Sequence, residues 1–449
     1  MENKIHKPLK ASMVSLGCSK NQVDGEIMLR SLKEAGYEII SDAGLSDVVI
    51  INTCGFIQSA KEEAIENILE FCTLKEEGRI KLVVITGCLA ERYREEVLKE
   101  IPEADAVIGI GSNKDIVSLI EKALKGEKVL SFGDKKDLPL SGDRVLTNPP
   151  HYAYVKIAEG CSNNCTYCAI PMIRGPFRSR PMEEIEKEVR YFADAGVSEI
   201  NIIAQDTTRY GEDIYGKPSL DLLLKRLASI ESVRWLRVLY AYPERITDEL
   251  IEVMASEEKI VKYIDLPLQH VSKEVLRRMN RKGDGEYYRN LIEKMRERIP
   301  SLTLRTTVIA GFPGETEEQF EELCQFIKDM EFDRLGCFAY SEEEGTPAEK
   351  LSPKIPEEVR ERRAEVVMLE QQTIMERKAH SQIGRIYKVL LEGYDRYAGV
   401  FIGRTEKDAP DIDPKIFFTA KNKNLQIGSF YSVVVTDTEG IDLIGEMVE

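Results

Sequence analysis

Short Val/Ile-rich runs alternate with amphipathic helical stretches along most of this chain, and that alternation constrains its fold more than any other feature. In the first region "ASMVSLG", "DVVIINT", "KLVVITG" and "DAVIGIG" read as strands, with helices through "DGEIMLRSLKEAG" and "SAKEEAIENILEFCTLKEEG" between them. Strands apolar on both faces belong to parallel sheets covered by helices on each side. The class is therefore α/β, and residues 1–132 are expected to form an N-terminal parallel-sheet α/β domain. Gly, Pro and Asp then break the pattern in "GDKKDLPLSGDRVLTNPP", which places a linker at 133–150.

Residues 151–380 repeat strand then helix about six times, through "AYVKIAE", "EINIIAQD", "WLRVLYAYP", "KYIDLPLQ", "TLRTTVIAG" and "RLGCFAYS". In "PMEEIEKEVRYFADAG", Ile185, Val189 and Phe192 fall on one apolar stripe, with Pro181 suited to the first turn and Gly196 to the stop. Such units predict a partial (β/α)6 barrel, open rather than closed. A long charged helix, "PEEVRERRAEVVMLEQQTIMERKAHSQ", leads out of it. From 381 to 449 the period changes, and "RIYKVLLEGY", "YAGVFIGRT", "KIFFTA", "SFYSVVVTD" and "IDLIGEMV" predict a small antiparallel β-barrel of the OB-like kind.

The chain has no apolar run of about 20 residues, so no membrane-spanning helix is expected. The opening stretch "MENKIHKPLKAS" carries basic residues with no apolar segment behind them, unlike an export signal. The expected compartment is the cytoplasm. There, nine cysteines point to metal or redox chemistry rather than to a disulfide framework. A net charge of −16 disfavours wholesale binding to nucleic acid and suits a basic protein partner, though it serves plain solubility equally well.

Three cysteines stand in "EGCSNNCTYCAIP": Cys161, Cys165 and Cys168, spaced C-x3-C-x2-C directly after the first barrel strand. Barrel enzymes gather their chemistry at that end of the strands. Three thiolates can each hold one corner of a [4Fe–4S] cube, leaving the fourth iron open to a small molecule. Two alternatives stand beside this. One is a zinc site completed by His151 or His270, at gaps unlike the common C-x2-C pairs. The other is three buried cysteines with no metal.

Cys18, Cys54 and Cys88 are too widely spaced for a motif, yet each directly follows an expected parallel strand. Ends of neighbouring strands lie about 5 Å apart, and sites in such sheets gather at the carboxyl edge. The three thiols are therefore expected to converge, beside Gly17, Gly55 and Gly87, which allow tight loops. Chance placement of cysteines in buried strands is the alternative. Cys72, Cys324 and Cys337 lie inside helices or a strand and read as packing residues.

"CSNNCTYC" resembles the C-x3-C-x-aromatic-C signature of the radical S-adenosylmethionine enzymes, with Tyr167 in the aromatic slot. The resemblance implies that S-adenosylmethionine chelates the open iron through its amino and carboxylate groups. One electron from the cluster then cleaves the sulfonium to a 5′-deoxyadenosyl radical. The cofactor carries that chemistry and the protein positions and shields it. "TVIAGFPGETEEQF" is similar to the family's G-x-I-x-G-x-x-G adenine-side motif, with Thr307 in the first glycine's place. Gly311 and Gly314 are expected to let backbone approach the cofactor, while an ordinary βα turn would read the same way. Gln205, Tyr242, Asp265 and Gln269 lie near strand ends, where each either faces the pocket or caps a strand.

End to end, the chain is similar to the methylthiotransferases: an N-terminal domain with three cysteines, a radical S-adenosylmethionine barrel and a C-terminal TRAM-like barrel. That resemblance implies two [4Fe–4S] clusters, one on Cys161, Cys165 and Cys168 and the second on Cys18, Cys54 and Cys88, the latter presenting a sulfur species. One S-adenosylmethionine methylates that sulfur, and a second starts the radical that activates a substrate C–H bond. No catalytic residue beyond the cluster ligands is implied, and an electron donor is a further partner.

Two branches of that family differ in substrate. "VSLGCSKNQVD", "NTCGFI", "GCLAERY" and "CAIPMIRGPFRSRP" resemble the branch acting on the β-carbon of an aspartate in ribosomal protein S-twelve, a basic small-subunit protein. The transfer-RNA adenosine branch usually reads Gln-Met-Asn after the first cysteine, whereas Ser19, Lys20 and Asn21 stand here. From 381 to 449 there are 11 acidic against 8 basic residues, which suits a basic protein better than RNA. Arg174, Arg178 and Arg180 are expected near the active site, orienting an anionic substrate or the S-adenosylmethionine carboxylate. A non-catalytic iron–sulfur electron carrier is a distant alternative.

Overall fold

The computed structural model describes residues 7–448; residues 1–6, the first half of the stretch read above against an export signal, lie outside the described residues. Among the described residues no helix is long and apolar enough to cross a membrane.

The N-terminal sheet has six strands, in chain order Lys10–Ser15, Glu38–Ile39, Val48–Thr53, Leu82–Gly87, Ala106–Ile108 and Val129–Ser131. In space they run second, first, third, fourth, fifth, sixth, and every pairing is parallel. The strand period of two sorts the side chains into two cores. Val49, Ile51, Val83, Ile85 and Val107 pack beneath the helix Gln58–Glu76. Val48, Ile50, Leu82, Val84 and Ile108 pack beneath Ser19–Glu34 and Ile116–Leu124. Strand order reverses between the first and third strands. Sheets of this kind open a crevice there, outside the carboxyl ends of the strands.

The central sheet also has six parallel strands: Tyr152–Lys156, Glu199–Ile203, Trp235–Val238, Ile260–Asp265, Thr303–Ala310 and Arg334–Ala339. They lie in chain order and stay open, as a partial (β/α)6 barrel does. The stripe Ile185, Val189 and Phe192 is the buried face of helix Met182–Asp194, packed with Ile200 and Ile202. Helix Glu357–His380 lies against the last strand.

Residues 133–150 hold no strand or α-helix, yet they are not a loose tether. Arg144 is buried, pairs with Glu26 at 3.1 Å and Glu188 at 2.7 Å, and stands 4.7 Å over the Phe192 ring. It fastens the helix Ser19–Glu34 to Met182–Asp194.

The C-terminal strands Ile386–Asp395, Val400–Thr405, Ile416–Thr419, Phe430–Glu439 and Asp442–Met447 form a closed barrel. The expected antiparallel barrel needs one correction, since Ile416–Thr419 and Asp442–Met447 pair in parallel. Strict alternation around a closed ring needs an even number of strands, so a ring of five must contain a parallel pairing. The barrel docks on the central sheet through Arg404, 2.6 Å from Glu199, which also pairs with Arg237 at 2.7 Å. Its Glu392, Asp408, Asp411 and Asp413 accept from His151, Arg334, Tyr152 and Tyr263. Part of the acidic excess read above as a partner surface is therefore matched inside the molecule.

Candidate active site

Cys18 follows the first strand, Cys54 the third, and Cys88 opens the helix Cys88–Tyr93 after the fourth. These strands are neighbours, so the crevice at the order reversal receives all three loops. The loops touch. A Cβ on Gly17, whose φ is +104°, would lie 2.9 Å from Cys54 Cβ and 3.3 Å from its sulfur. A Cβ on Gly55 would lie 2.7 Å from Leu89 Cα, beside Cys88. Burial pushes the Cys54 thiol up, and the Cys88 thiol up to about 12. Cys18, open to solvent on one side, goes the other way. The surrounding protein works to raise its thiol, but the Lys20 ammonium and the Arg174 guanidinium outweigh that and hold it below the ordinary value.

The second set lies on one loop. A two-residue ribbon, Ala158 opposite Ser179 and Glu159 opposite Arg178, pinches its ends together. Inside, Cys161 N–H donates to Gly175 C=O at 3.1 Å and Cys168 N–H to Cys165 C=O at 3.1 Å. Thr166 ties the loop to the barrel through Arg278 C=O at 2.8 Å. Cys165 Sγ stands 3.6 Å from the Tyr242 hydroxyl, and burial pushes the Cys161 thiol up to about 11.

The two sets share one wall. The short helix Ile170–Arg174, directly after Cys168, sets Ala169 and Ile173 against Cys88. Arg174 is buried and donates to Asp24 at 2.8 Å, Glu159 at 3.0 Å and Asn21 at 3.3 Å, and its guanidinium reaches 3.5 Å from Cys88 Sγ. Lys156 completes the group, pairing with Asp24 and, at 2.8 Å, with Glu159. Burial works to raise the Glu159 carboxyl, but Arg174 and then Lys156 outweigh it and hold it well below the ordinary carboxylate range. Sequence reasoning missed this hub because its members come from three separate segments. The signal available was charge in a strand interior, at Lys156 within "AYVKIAE".

The other expected residues are placed as follows. Tyr167 lines a cleft of about 690 Å3 together with Phe56, Ile57, Gln269, Thr307 and Phe338, between the Cys54 loop and the barrel edge. Gly311 and Gly314 have φ of +76° and +78°, but the room left by their missing Cβ atoms is filled by Arg360 and Arg278. Gln205 donates to Glu159 at 2.8 Å and so supports the hub. Asp265 pairs with Arg305 at 2.7 Å. Arg178 donates to the carbonyls of Lys135 and Lys136, and buried Arg180 to Glu188 at 2.6 Å. All three arginines expected to meet a carboxylate from outside are therefore already engaged in holding the chain together. His151 faces Glu392 at 3.0 Å, and His270 accepts from Ser272 N–H at 3.0 Å and lies 3.6 Å from Glu315. Among the described residues no three His, Cys, Asp or Glu stand within reach of one metal ion. A cube spreads its thiolates over different irons and needs no such focus. Cys72, Cys324 and Cys337 pack with the apolar cores.

Comparison with known proteins fits this layout segment by segment. The radical SAM superfamily matches residues 155–327, the TRAM domain matches 383–448, and the uncharacterized protein family UPF0004 matches 10–109. Among solved structures, the radical S-adenosylmethionine methyltransferase TsrM from Kitasatospora setae superposes with a TM-score of 0.56 over 76% of this chain and 75% of that one, at 13% identity. The cobalamin-dependent S-adenosylmethionine radical enzyme OxsB superposes at 0.52, over 82% of this chain and 58% of that one, also at 13%. These two likenesses are of fold alone. The ribosomal protein uS12 methylthiotransferase RimO of Clostridioides difficile is 47% identical over 98% of this chain and 99% of that protein. Its counterpart in Pelotomaculum thermopropionicum is 49% identical over 98% and 99%. At that identity from end to end, the chain belongs to the family of ribosomal protein uS12 methylthiotransferases.

Proposed function

We propose that this chain is a radical S-adenosylmethionine methylthiotransferase that adds a methylthio group to the β-carbon of an aspartate in ribosomal protein uS12. The observation that carries the reading is that Cys88 of one three-thiol set packs on Ala169 and Ile173, directly after Cys168 of the other, and meets Arg174 there. Thiolates are the donors iron–sulfur clusters take, and three per set leave one cluster position for a small molecule. Cys161, Cys165 and Cys168 hold one [4Fe–4S] cluster, and Cys18, Cys54 and Cys88 the second. When bound, the clusters and S-adenosylmethionine supply the hydrogen-abstracting radical, the sulfur and the methyl group. The chain's own residues position and shield. Arg174 and Lys156 lock the two thiol-bearing domains together, the ribbon at Glu159 and Arg178 closes the barrel loop, and Tyr167 and Phe56 wall the cleft against water. On this reading 1–132 is the N-terminal domain, 133–150 a fastened linker, 151–380 the barrel domain and 381–449 the TRAM-like barrel. The enzyme works in the cytoplasm with an electron donor. An electron carrier would not need a cleft of about 690 Å3 beside its thiols.

The test is anaerobic incubation of the loaded enzyme with uS12 and transfer RNA together, S-adenosylmethionine and a reductant, followed by mass spectrometry of the peptides and the nucleosides. A methylthio mass increase on one aspartate-containing peptide is expected. Unmodified uS12 alongside modified transfer RNA would overturn the substrate.

A further inference from the structure

Lys20 is a buried ammonium with no carboxylate. It is 6% exposed, sits in the first turn of the helix Ser19–Glu34, and reaches across the domain boundary to place Nζ 3.2 Å from the Tyr240 ring centroid. The nearby carboxylates Asp24 and Glu159 are already matched by Lys156 and Arg174. Among the described residues no carboxylate pairs with Lys20. An ammonium taken out of water is costly unless an opposite charge meets it, and a ring face recovers only part of that cost. The first helical turn carries no acidic residue, so its N–H groups add positive potential.

The residue beneath it is strained. Tyr240 follows the strand Trp235–Val238 with φ +62°, a left-handed conformation that bulky residues rarely adopt. Its N–H donates to Asp265 at 3.1 Å, and its C=O accepts from the Thr207 N–H at 3.0 Å and hydroxyl at 3.1 Å. Three hydrogen bonds hold this conformation at the carboxyl end of a barrel strand, the end where barrel enzymes gather their chemistry. It sets the ring that holds Lys20 beside Cys18 and over the barrel mouth.

We propose that Lys20 determines substrate specificity: its ammonium takes the side-chain carboxylate of the target aspartate and so fixes the adjoining β-carbon beside the thiol sets. This rests on the uS12 reading above. Two other anions compete for the same cation, the Cys18 thiolate and the carboxylate of S-adenosylmethionine, and the experiment separates them.

Binding of uS12 carrying the target aspartate, or asparagine in its place, is measured on anaerobically loaded wild type, Lys20→Met and Lys20→Arg. Iron content and affinity for S-adenosylmethionine are measured on the same samples. The aspartate-to-asparagine change is expected to weaken binding to wild type at least about tenfold, and to Lys20→Met less than about threefold. Lys20→Arg keeps most of the discrimination, and iron content and cofactor affinity stay level across all three. Equal discrimination by wild type and Lys20→Met overturns the proposal. So does loss of iron in Lys20→Met, which assigns the cation to the thiols, or a loss of cofactor affinity with uS12 discrimination intact. If wild type binds no uS12, the uS12 reading falls and takes this inference with it.

Discussion

The two thiol sets are built by opposite routes. Cys161, Cys165 and Cys168 lie on one loop whose ends are pinched by a two-residue ribbon. Cys18, Cys54 and Cys88 come from three strand ends, and they meet because the sheet order reverses beside them. Closing a short loop needs little chain ordering, whereas bringing distant segments together needs the whole sheet. The N-terminal set therefore depends on more of the molecule. It also depends on the neighbouring domain, since Arg174 reaches Cys88 from the barrel side. A family of enzymes can thus keep one site nearly self-contained while the other exists only in the assembled chain.

The largest test of that contrast is Arg174→Met. It leaves Asp24 and Glu159 facing Lys156 alone, and breaking a buried ionic group in this way costs about 3–5 kcal/mol. Urea unfolding should report that loss, and iron should leave the N-terminal thiols first. Equal depletion of both sets would break the comparison. Next comes Gly55→Val, whose Cβ would press on Leu89 Cα at 2.7 Å. A cost of about 2–3 kcal/mol is expected, with iron lost from the N-terminal set only. The mirror change is Gly160→Ala, where φ is +74° and a Cβ would lie 2.2 Å from Pro176 C=O. It should strip the barrel loop instead, as spectroscopy of the remaining cluster would tell.

A pH-dependent effect concerns a join remote from both sets. Burial works to raise the Glu199 carboxyl, but Arg404 and Arg237 outweigh it and hold it below the ordinary value. A carboxyl depressed by folding stabilises the protein fully above the unfolded value of about 4.3, and that contribution fades as pH falls through the folded value. Acid unfolding below about pH 4 should therefore be shallower in Glu199→Gln than in wild type, with iron loading at neutral pH alike in both. A pH slope identical to wild type would remove Glu199 from the account. The smallest effect is that of Arg178→Ala, which deletes hydrogen bonds to the Lys135 and Lys136 carbonyls. Less than about 1 kcal/mol and unchanged turnover are expected, contrary to the sequence reading that placed Arg178 on an anion. Slower turnover at full stability would restore that reading.

Much of this contrast was legible in the sequence. The unbroken apolar runs in "DVVIINT" and "KLVVITG" foretold a sheet covered on both faces, and the position of each cysteine after a strand foretold their meeting. The Ile185, Val189 and Phe192 stripe and the five C-terminal strands were equally local signals. What escaped was partner choice. Nothing near Arg174 in the chain announces Asp24 or Cys88, because the contact exists only once two domains dock. At Gly311 and Gly314 the room a missing Cβ leaves is visible in sequence, while the side chains that lie against it, Arg360 and Arg278, are not. The acidic count of the C-terminal barrel hides a second use of its carboxylates, since Asp411 and Asp413 also accept from tyrosine hydroxyls of the central sheet.

Anaerobic iron and sulfide counting tests the central claim most directly. The intact chain is compared with two triple variants, one with alanine at Cys18, Cys54 and Cys88, the other at Cys161, Cys165 and Cys168. About eight irons are expected in the intact chain and about four in each variant, one cube lost from each set. An intact chain holding only about four, or an N-terminal variant still holding about eight, would contradict the account.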